Sequence, residues 1–214
     1  MSTILQGVLG AFSGKTGPVI GSSWKGRPVM RARPAFKKNR TFSQSQLDQQ
    51  EKFKLMSTFL RGLDELLMVT FAPSSGEKTG LNAALSHNLK EAIGGLASPF
   101  SIDYPKVRIS DGSLSIATKP EIVALPGSNL RFNWTYDPAV AKTNPLDKAV
   151  IVLFSEAIGQ FFYVKDGAPR MAGEMTINVG VFSGETVHVW TLFLTENETS
   201  ASKSLYGGTV TIAP

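Results

Sequence analysis

The chain has 214 residues, of which 42% are hydrophobic and 18% are charged, and its formal net charge is +5. A chain of this composition can bury a core, which excludes an intrinsically disordered protein. It has no cysteine, which excludes disulfides, thiolate metal sites and cysteine nucleophiles. We find no Sec signal and no membrane span of about 18 apolar residues. We therefore expect synthesis in the cytoplasm, while the final location, a virion or an extracellular assembly included, stays open.

The positive charge is concentrated at the N-terminus. The first 47 residues hold eight basic side chains and no acidic one. Subtracting this +8 from the net charge of +5 leaves −3 for the rest of the chain. Glycine and proline interrupt residues 1–40, which predicts a basic arm or a β-hairpin turning near Trp24-Lys25-Gly26-Arg27, and not a helix.

This basic segment predicts a surface that binds a partner, because Val29, Met30 and other apolar side chains alternate with its charges. One partner is the acidic body of the next copy of the chain, through carboxylates. The other is nucleic acid, with cations on phosphates and Trp24 or Phe36 stacked on bases. A merely solvated basic arm is the third interpretation. The candidate residues for binding a partner or a polyanion are Lys15, Trp24, Lys25, Arg27, Arg31, Arg33, Lys37, Lys38 and Arg40.

No catalytic signature is visible. The run from Gly10 to Thr16 approaches a phosphate-binding loop, but its spacer has three residues where the motif needs four. Pro18 also prevents a long helix after it. His87 and His188 are the only histidines, and neither has a second histidine at ligand spacing. We therefore predict no catalytic residue, no cofactor, no metal and no small-molecule substrate.

Residues 41–98 are predicted to form a hairpin of two antiparallel helices. The second helix begins near Thr79, and Gly94-Gly95 ends it. Apolar side chains recur at helical spacing in both segments. The first stripe is Phe53, Met56, Phe59, Leu60, Leu63, Leu66 and Leu67, and the second is Leu81, Ala84, Leu85, Leu89 and Ala92 together with the polar Asn88.

The period changes to that of β-strands between residues 100 and 214. Turn-rich separators divide this region into short strands, which predicts an antiparallel β-sandwich. The run HVWTLFL alternates only partly, as a central strand covered on both faces would. Trp134 resembles the core tryptophan of immunoglobulin and fibronectin type III sandwiches, and the lack of cysteine favours the fibronectin-like version. The predicted strands are 106–109, 130–136, 148–154, 160–164, 174–179, 186–195 and 204–212.

An aromatic triplet, Phe161-Phe162-Tyr163, lies on one of these strands. We interpret it as core packing on one face and an interface on the other. The alternative is an exposed platform that stacks on carbohydrate.

The runs FSGKTGPVIGSSWKGRPVMRARP and TFSQSQLDQQEKFKLMSTFL resemble an uncharacterised family of Bacteroidota proteins of similar length. That family has an SGK…GSSWKG signature at its N-terminus and an all-β C-terminal half with a T-V-H-V strand, here Thr186 to Val189. The resemblance spans the chain and implies no activity. The N-terminal half also resembles phage structural proteins with a glycine-rich basic opening, although Gln50 or Lys52 stands where arginine would be common.

Together these patterns predict an α+β protein in three parts. They are a basic arm or β-hairpin (1–40), a two-helix hairpin (41–98) and a fibronectin-III/immunoglobulin-like antiparallel β-sandwich (100–214). The predicted function is that of a non-enzymatic structural protein that self-associates through the arm into a filament, ring or shell. A nucleic-acid-binding protein that uses the same arm is the alternative, and a carbohydrate-binding β-sandwich is the second alternative.

Overall fold

The chain divides into two compact units, Met1–Ser43 and Gln44–Pro214. The computed structural model describes residues 2–4, 12–24, 26–35, 41–71, 79–116, 118–140 and 144–214. The first unit is a small antiparallel sheet, and the second contains the helices and a β-sandwich. Within the described ranges, no helix is long and apolar enough to cross a membrane.

The first unit is a four-stranded sheet, which is more than the arm or single hairpin that the sequence predicted. Its strands are β1 (Ser2–Ile4), β2 (Phe12–Thr16), β3 (Val19–Trp24) and β4 (Arg27–Ala32), in the order β1-β2-β3-β4. The predicted hairpin is present, with Trp24 opposite Arg27. Lys15 and Thr16 lie in β2 and pair with β3, so Phe12–Thr16, the described part of the run, is extended and does not wrap around a phosphate.

The described part of the helical region, residues 41–71 and 79–98, contains three α-helices where the sequence predicted two. They are α1 (Gln44–Leu60), α2 (Asp64–Thr70) and α3 (Gly80–Glu91), and a 3₁₀ turn (Arg61–Leu63) separates α1 from α2. The turn lies where Phe161 packs on the helix backbone, since a Cβ at Gly62 would be 2.9 Å from the Cδ2 atom of Phe161. After α3, the short strands β5 (Ile93–Gly94) and β6 (Ser101–Ile102) pair with each other. Gly94 therefore lies in a strand and does not terminate the helix.

The second predicted helix begins at the expected residue, and one residue of the first predicted apolar stripe is exposed. The start of the second helix is confirmed, because Thr79 is the N-cap of α3 and its hydroxyl accepts a hydrogen bond from the Asn82 amide. Phe53 is the exception in the predicted apolar stripe, since its side chain is 52% exposed. α1 is buried only near its C-terminal end, at Met56, Phe59 and Leu60.

Residues 118–211 form two antiparallel sheets. Their strands are β7 (Thr118–Leu125), β8 (Asn129–Thr135), β9 (Lys148–Ser155), β10 (Gln160–Val164), β11 (Glu174–Asn178), β12 (Thr186–Leu194) and β13 (Leu205–Thr211). The four-stranded sheet has the order β10-β9-β12-β13, and the three-stranded sheet has the order β11-β8-β7.

Six of the seven predicted strands are present. The predicted strand at 106–109 is wrong, because Tyr104–Lys106 is a 3₁₀ turn and irregular chain follows it. The sequence did not predict β7, because Pro120 lies within it and proline is normally absent from the interior of a strand. The pairing of β7 with β8 is irregular between Thr118 and Glu121, which accommodates the proline.

The four-stranded sheet is covered on both of its faces. In β9, Val152 and Phe154 pack with the helices, whereas Ile151 and Leu153 pack against the three-stranded sheet. β12 alternates in the same way, with Trp190 on the helical side and Val189 on the other. This confirms that HVWTLFL is a central strand with two buried faces.

The aromatic triplet on β10 follows the same alternation. Phe161 and Tyr163 pack against the apolar cluster that the helices form with the four-stranded sheet. Phe162 packs against the core between the two sheets. The Phe161 ring centroid lies 5.0 Å from that of Phe59. The triplet is therefore half-buried packing, and it does not form an exposed platform for carbohydrate.

The sandwich encloses a buried ion pair. Arg170 and Asp147 are 3% and 1% exposed, and the Nε atom of Arg170 lies 3.2 Å from an Asp147 carboxylate oxygen. The Arg170 guanidinium also lies 3.7 Å from the ring centroid of Phe193 and donates to the Ser115 carbonyl. The indole Nε1 of Trp134 donates to the Arg170 carbonyl over 2.8 Å. Trp134 is thus a buried core tryptophan, as predicted.

We expect Arg170→Ala to lower the free energy of unfolding by about 3–5 kcal/mol, because the Asp147 carboxylate would stay buried without its counter-ion. Arg131→Ala removes an exposed arginine of β8 and is the matched control, with an expected change within about 0.5 kcal/mol. Urea unfolding followed by circular dichroism measures both changes. Equal stability of the two variants would contradict a structural role for the pair.

His188 lies between two tyrosines on the helical side of the sandwich. Its Nδ1 atom is 2.8 Å from the Tyr206 hydroxyl, and its ring stacks on Tyr104 with a centroid separation of 3.9 Å. Burial lowers the pKa of His188 below its ordinary value of 6.5, although Glu156 acts in the opposite direction. Burial, together with Arg108, also lowers the pKa of His87.

Stability should therefore decrease as the pH falls below 6.5, the value in the unfolded chain. Below that pH the unfolded chain binds protons on both histidines, whereas the folded chain does not until its lower pKa values are reached. The stability that the two neutral histidines contribute is fully present above pH 6.5. Melting temperatures at pH 7.5 and 5.5 measure it. The double variant His87→Gln/His188→Gln should lose less stability on acidification, and an unchanged acid-induced loss would contradict this role of the histidines.

Candidate functional site

The N-terminal sheet has two chemically different faces, because side chains alternate along each strand and residues opposite each other share a face. Lys15, Ile20 and Arg31 form one row across three strands. Ser22 lies opposite Val29, and Trp24 opposite Arg27. We call this side the basic face, and it consists of Lys15, Ile20, Ser22, Trp24, Arg27, Val29 and Arg31.

The cations of the basic face are spread over it. Lys15 and Arg31 flank Ile20, which places their backbones two strand spacings, or about 10 Å, apart. Arg27 and Arg31 are four residues apart on β4, or about 13 Å. The first 47 residues contain no acid, so no carboxylate of this unit can neutralise these cations. The face can therefore attract a surface that carries several negative charges.

Aromatic and apolar side chains are exposed among these cations. Trp24 is 58% exposed and Val29 is 41% exposed. The other two tryptophans, Trp134 and Trp190, are 8% and 0% exposed. An exposed tryptophan next to an arginine is typical of the surfaces through which proteins bind partners.

The opposite side of the sheet, which we call the uncharged face, is formed by Phe12, Thr16, Val19, Gly21, Ser23, Pro28, Met30 and Ala32. The Phe12 ring lies close to Gly21, where an added Cβ would be 2.7 Å from the ring. Met30 is 69% exposed. All the charge of the described strands β2–β4 is thus on one face, which gives the sheet a defined polarity.

The outer edge of β4 is poorly suited to strand addition. The Arg33 N–H donates to the Pro18 carbonyl over 2.7 Å, toward β3. Backbone groups alternate in direction along a strand. The backbone nitrogen atoms of residues 28, 30 and 32 therefore point away from β3. Pro28 has no N–H, so β4 offers outward donors only at Met30 and Ala32. Proline at such a position protects an edge, which favours docking through the faces of the sheet.

Four of the nine predicted binding residues share the basic face, namely Lys15, Trp24, Arg27 and Arg31. Arg33 follows β4 and lines a hollow of about 560 Å³ together with Pro18 and Pro34. The sequence did not predict β2, and so it missed the alignment of Lys15 with Arg31. The available signal was the two-residue turn Gly17-Pro18, where glycine adopts a φ of +56°. Lys25, Lys37, Lys38 and Arg40 lie outside the described residues, as does Phe36.

Residues 11–208 match the model of a family described as a family of unknown function, DUF6266. The chain belongs to the DUF6266 family. The matched range includes β2, β3 and β4 together with the helices and most of the sandwich. The prediction of an uncharacterised family is thus confirmed for DUF6266, while the Bacteroidota origin and the phage likeness stay predictions.

Two of the solved structures that are similar to part of this DUF6266 protein are fibronectin domains. The fn3 domain of the human collagen alpha-1(XX) chain is 14% identical, covers 49% of this chain and 93% of its own, and has a TM-score of 0.36. The FN1-FN3 domains of chicken CNTN1 are 10% identical, with 49% of this chain and 34% of that chain covered and a TM-score of 0.32. No curated protein matches the chain. The sandwich itself is established by the strand pairing described above.

We expect Gly21→Ala to destabilise the N-terminal sheet, because the new Cβ would overlap the carbonyl oxygen and the ring of Phe12. Amide hydrogen exchange should then become faster in β2, β3 and β4 while residues 44–214 keep their protection, since the two units are compact separately. Ser22→Ala, on the other face of the same strand, is the control and should leave exchange unchanged. Equal protection in both variants would contradict this packing.

Proposed function

We propose that this protein is a non-enzymatic structural protein that self-associates by docking the basic face of its N-terminal sheet onto the acidic body of the next copy. The observation that carries the proposal is that three cations and the exposed Trp24 share one sheet face, in a chain whose other residues from 48 onward sum to −3. Opposite charges at two places on one chain favour head-to-tail contacts. Such contacts produce filaments, rings or shells according to whether they close.

Two further features support this mode of association. The charges on two N-terminal sheets would repel each other across their basic faces, so the partner surface belongs to the acidic remainder of the chain. The proline-protected edge of β4 disfavours strand addition there, so association through a face is the better fit.

A second candidate function, nucleic-acid binding, is favoured by the position of Trp24 beside Arg27. An aromatic ring next to cations can stack on a base while the cations neutralise phosphates. This function predicts retention of DNA or RNA at about 50 mM salt and a steep loss of binding as the salt concentration rises.

Charge reversal on the basic face tests the proposed function in the full-length protein. We expect Lys15→Glu/Arg31→Glu to weaken self-association roughly tenfold and so to shift the assemblies toward monomers, because carboxylates would then face carboxylates. Lys54→Glu/Arg61→Glu reverses one exposed lysine and one exposed arginine of the helical region, and this matched control should assemble like the wild type. Sedimentation velocity and negative-stain electron microscopy near physiological salt measure the assemblies.

Assembly of Lys15→Glu/Arg31→Glu at the wild-type level would overturn the proposal, as would a wild-type protein that stays monomeric. If the same variant loses nucleic-acid retention without any change in oligomer size, the second candidate function replaces the first.

A further inference from the structure

The three-stranded sheet has an outer face that carries acidic side chains. The helices cover the outer side of the four-stranded sheet, and the core between the sheets buries the inner residues of β8, such as Phe132. The residues that alternate with this inner set therefore point outward. Those on the outward side include the exposed residues Glu121, Val123, Arg131, Glu174 and Thr176.

The strand register arranges this outer face in rows. Glu174, Asn133 and Glu121 form one row across β11, β8 and β7. Thr176, Arg131 and Val123 form the next row. We call the surface the acidic face, and it consists of Glu121, Val123, Leu125, Asn129, Arg131, Asn133, Glu174, Thr176 and Asn178.

The charged rows of the two faces have the same geometry. Glu121 and Glu174 flank Asn133 at two strand spacings, about 10 Å, just as Lys15 and Arg31 flank Ile20. Packed sheets lie about 10 Å apart, a gap that long lysine, arginine and glutamate side chains can bridge.

The neighbouring rows are compatible with the same arrangement. Arg131 occupies the row next to the two glutamates, and the corresponding row of the basic face carries Ser22 and Val29 but no cation. Val29 and Val123 are 41% and 38% exposed, and they add apolar area to the contact. Arg131, the one cation among the acidic-face side chains that the structure describes, therefore does not oppose the cations of the basic face.

We propose that the acidic face is the docking site for the basic face of a second copy of this chain, with Lys15 and Arg31 paired to Glu121 and Glu174. The inference rests on the proposed self-association and adds the acceptor surface. Each face consists of three strands about 17 Å long and is about 15 Å wide. The area of such a face is far below the roughly 800 Å² that each partner buries in a stable complex. Each contact is therefore weak and sensitive to salt, and many contacts act together in an assembly.

A charge-swap experiment in full-length protein tests the docking. Lys15→Glu/Arg31→Glu makes the basic face acidic, and Glu121→Lys/Glu174→Lys makes the acidic face basic. We expect each variant alone to self-associate roughly tenfold more weakly than the wild type, because like charges then oppose each other. An equimolar mixture of the two variants should associate at the wild-type level, since every contact between unlike copies is again complementary. Sedimentation velocity at about 50 mM and 500 mM salt measures this, and we expect the association to be weaker at the higher concentration.

The matched control is Glu91→Lys/Glu196→Lys, which reverses two exposed glutamates elsewhere in the second unit and should assemble normally. If Lys15→Glu/Arg31→Glu loses association but Glu121→Lys/Glu174→Lys keeps it, this acceptor site is wrong while the proposed function stands. If both variants lose association and their mixture does not recover it, the pairing of these two faces is overturned. If Lys15→Glu/Arg31→Glu itself associates normally, the proposed function fails and the docking fails with it.

Discussion

Burial of β9 and β12 on both faces is the constraint on which the larger unit depends. One set of alternating side chains, including Val152 and Trp190, forms a core with the helices, and the other set, including Leu153 and Val189, forms the core between the sheets. Loss of either layer would expose a continuous row of large apolar side chains to water. The helices therefore complete the fold, and their position on one side leaves the three-stranded sheet with the open outer face.

The two units differ in how they bury their apolar side chains. The second unit has an interior of two apolar clusters and a buried Arg170–Asp147 pair. The N-terminal sheet has one layer of strands, and Trp24 and Met30 are 58% and 69% exposed. A sheet of three or more strands needs a buried hydrophobic face to be stable on its own in water. This is the physical reason to expect that a partner covers part of it.

Sequence patterns predicted most strands of the sandwich, but much less of the helical region and of the N-terminal sheet. The strands with clear period-2 alternation and turn-rich ends, such as β8 and β10, were predicted within one or two residues. The missed strand β7 contains Pro120, and its place in the sheet depends on pairing with β8 rather than on local preference. The break between α1 and α2 could not be predicted locally, because it coincides with the packing of the distant Phe161 on Gly62.

The sequence by itself determined the distribution of charge, the turn at Trp24-Lys25-Gly26-Arg27, the central position of β12 and the core role of Trp134. These properties depend on composition and on residues close together in the chain. Only the tertiary structure decided that Lys15 and Arg31 share a row, that Glu121 and Glu174 share another, and that the aromatic triplet is packed. The physical reason is that cross-strand register and the covering of each sheet face are set by contacts between distant segments, and a shift of one residue would move every side chain to the opposite face.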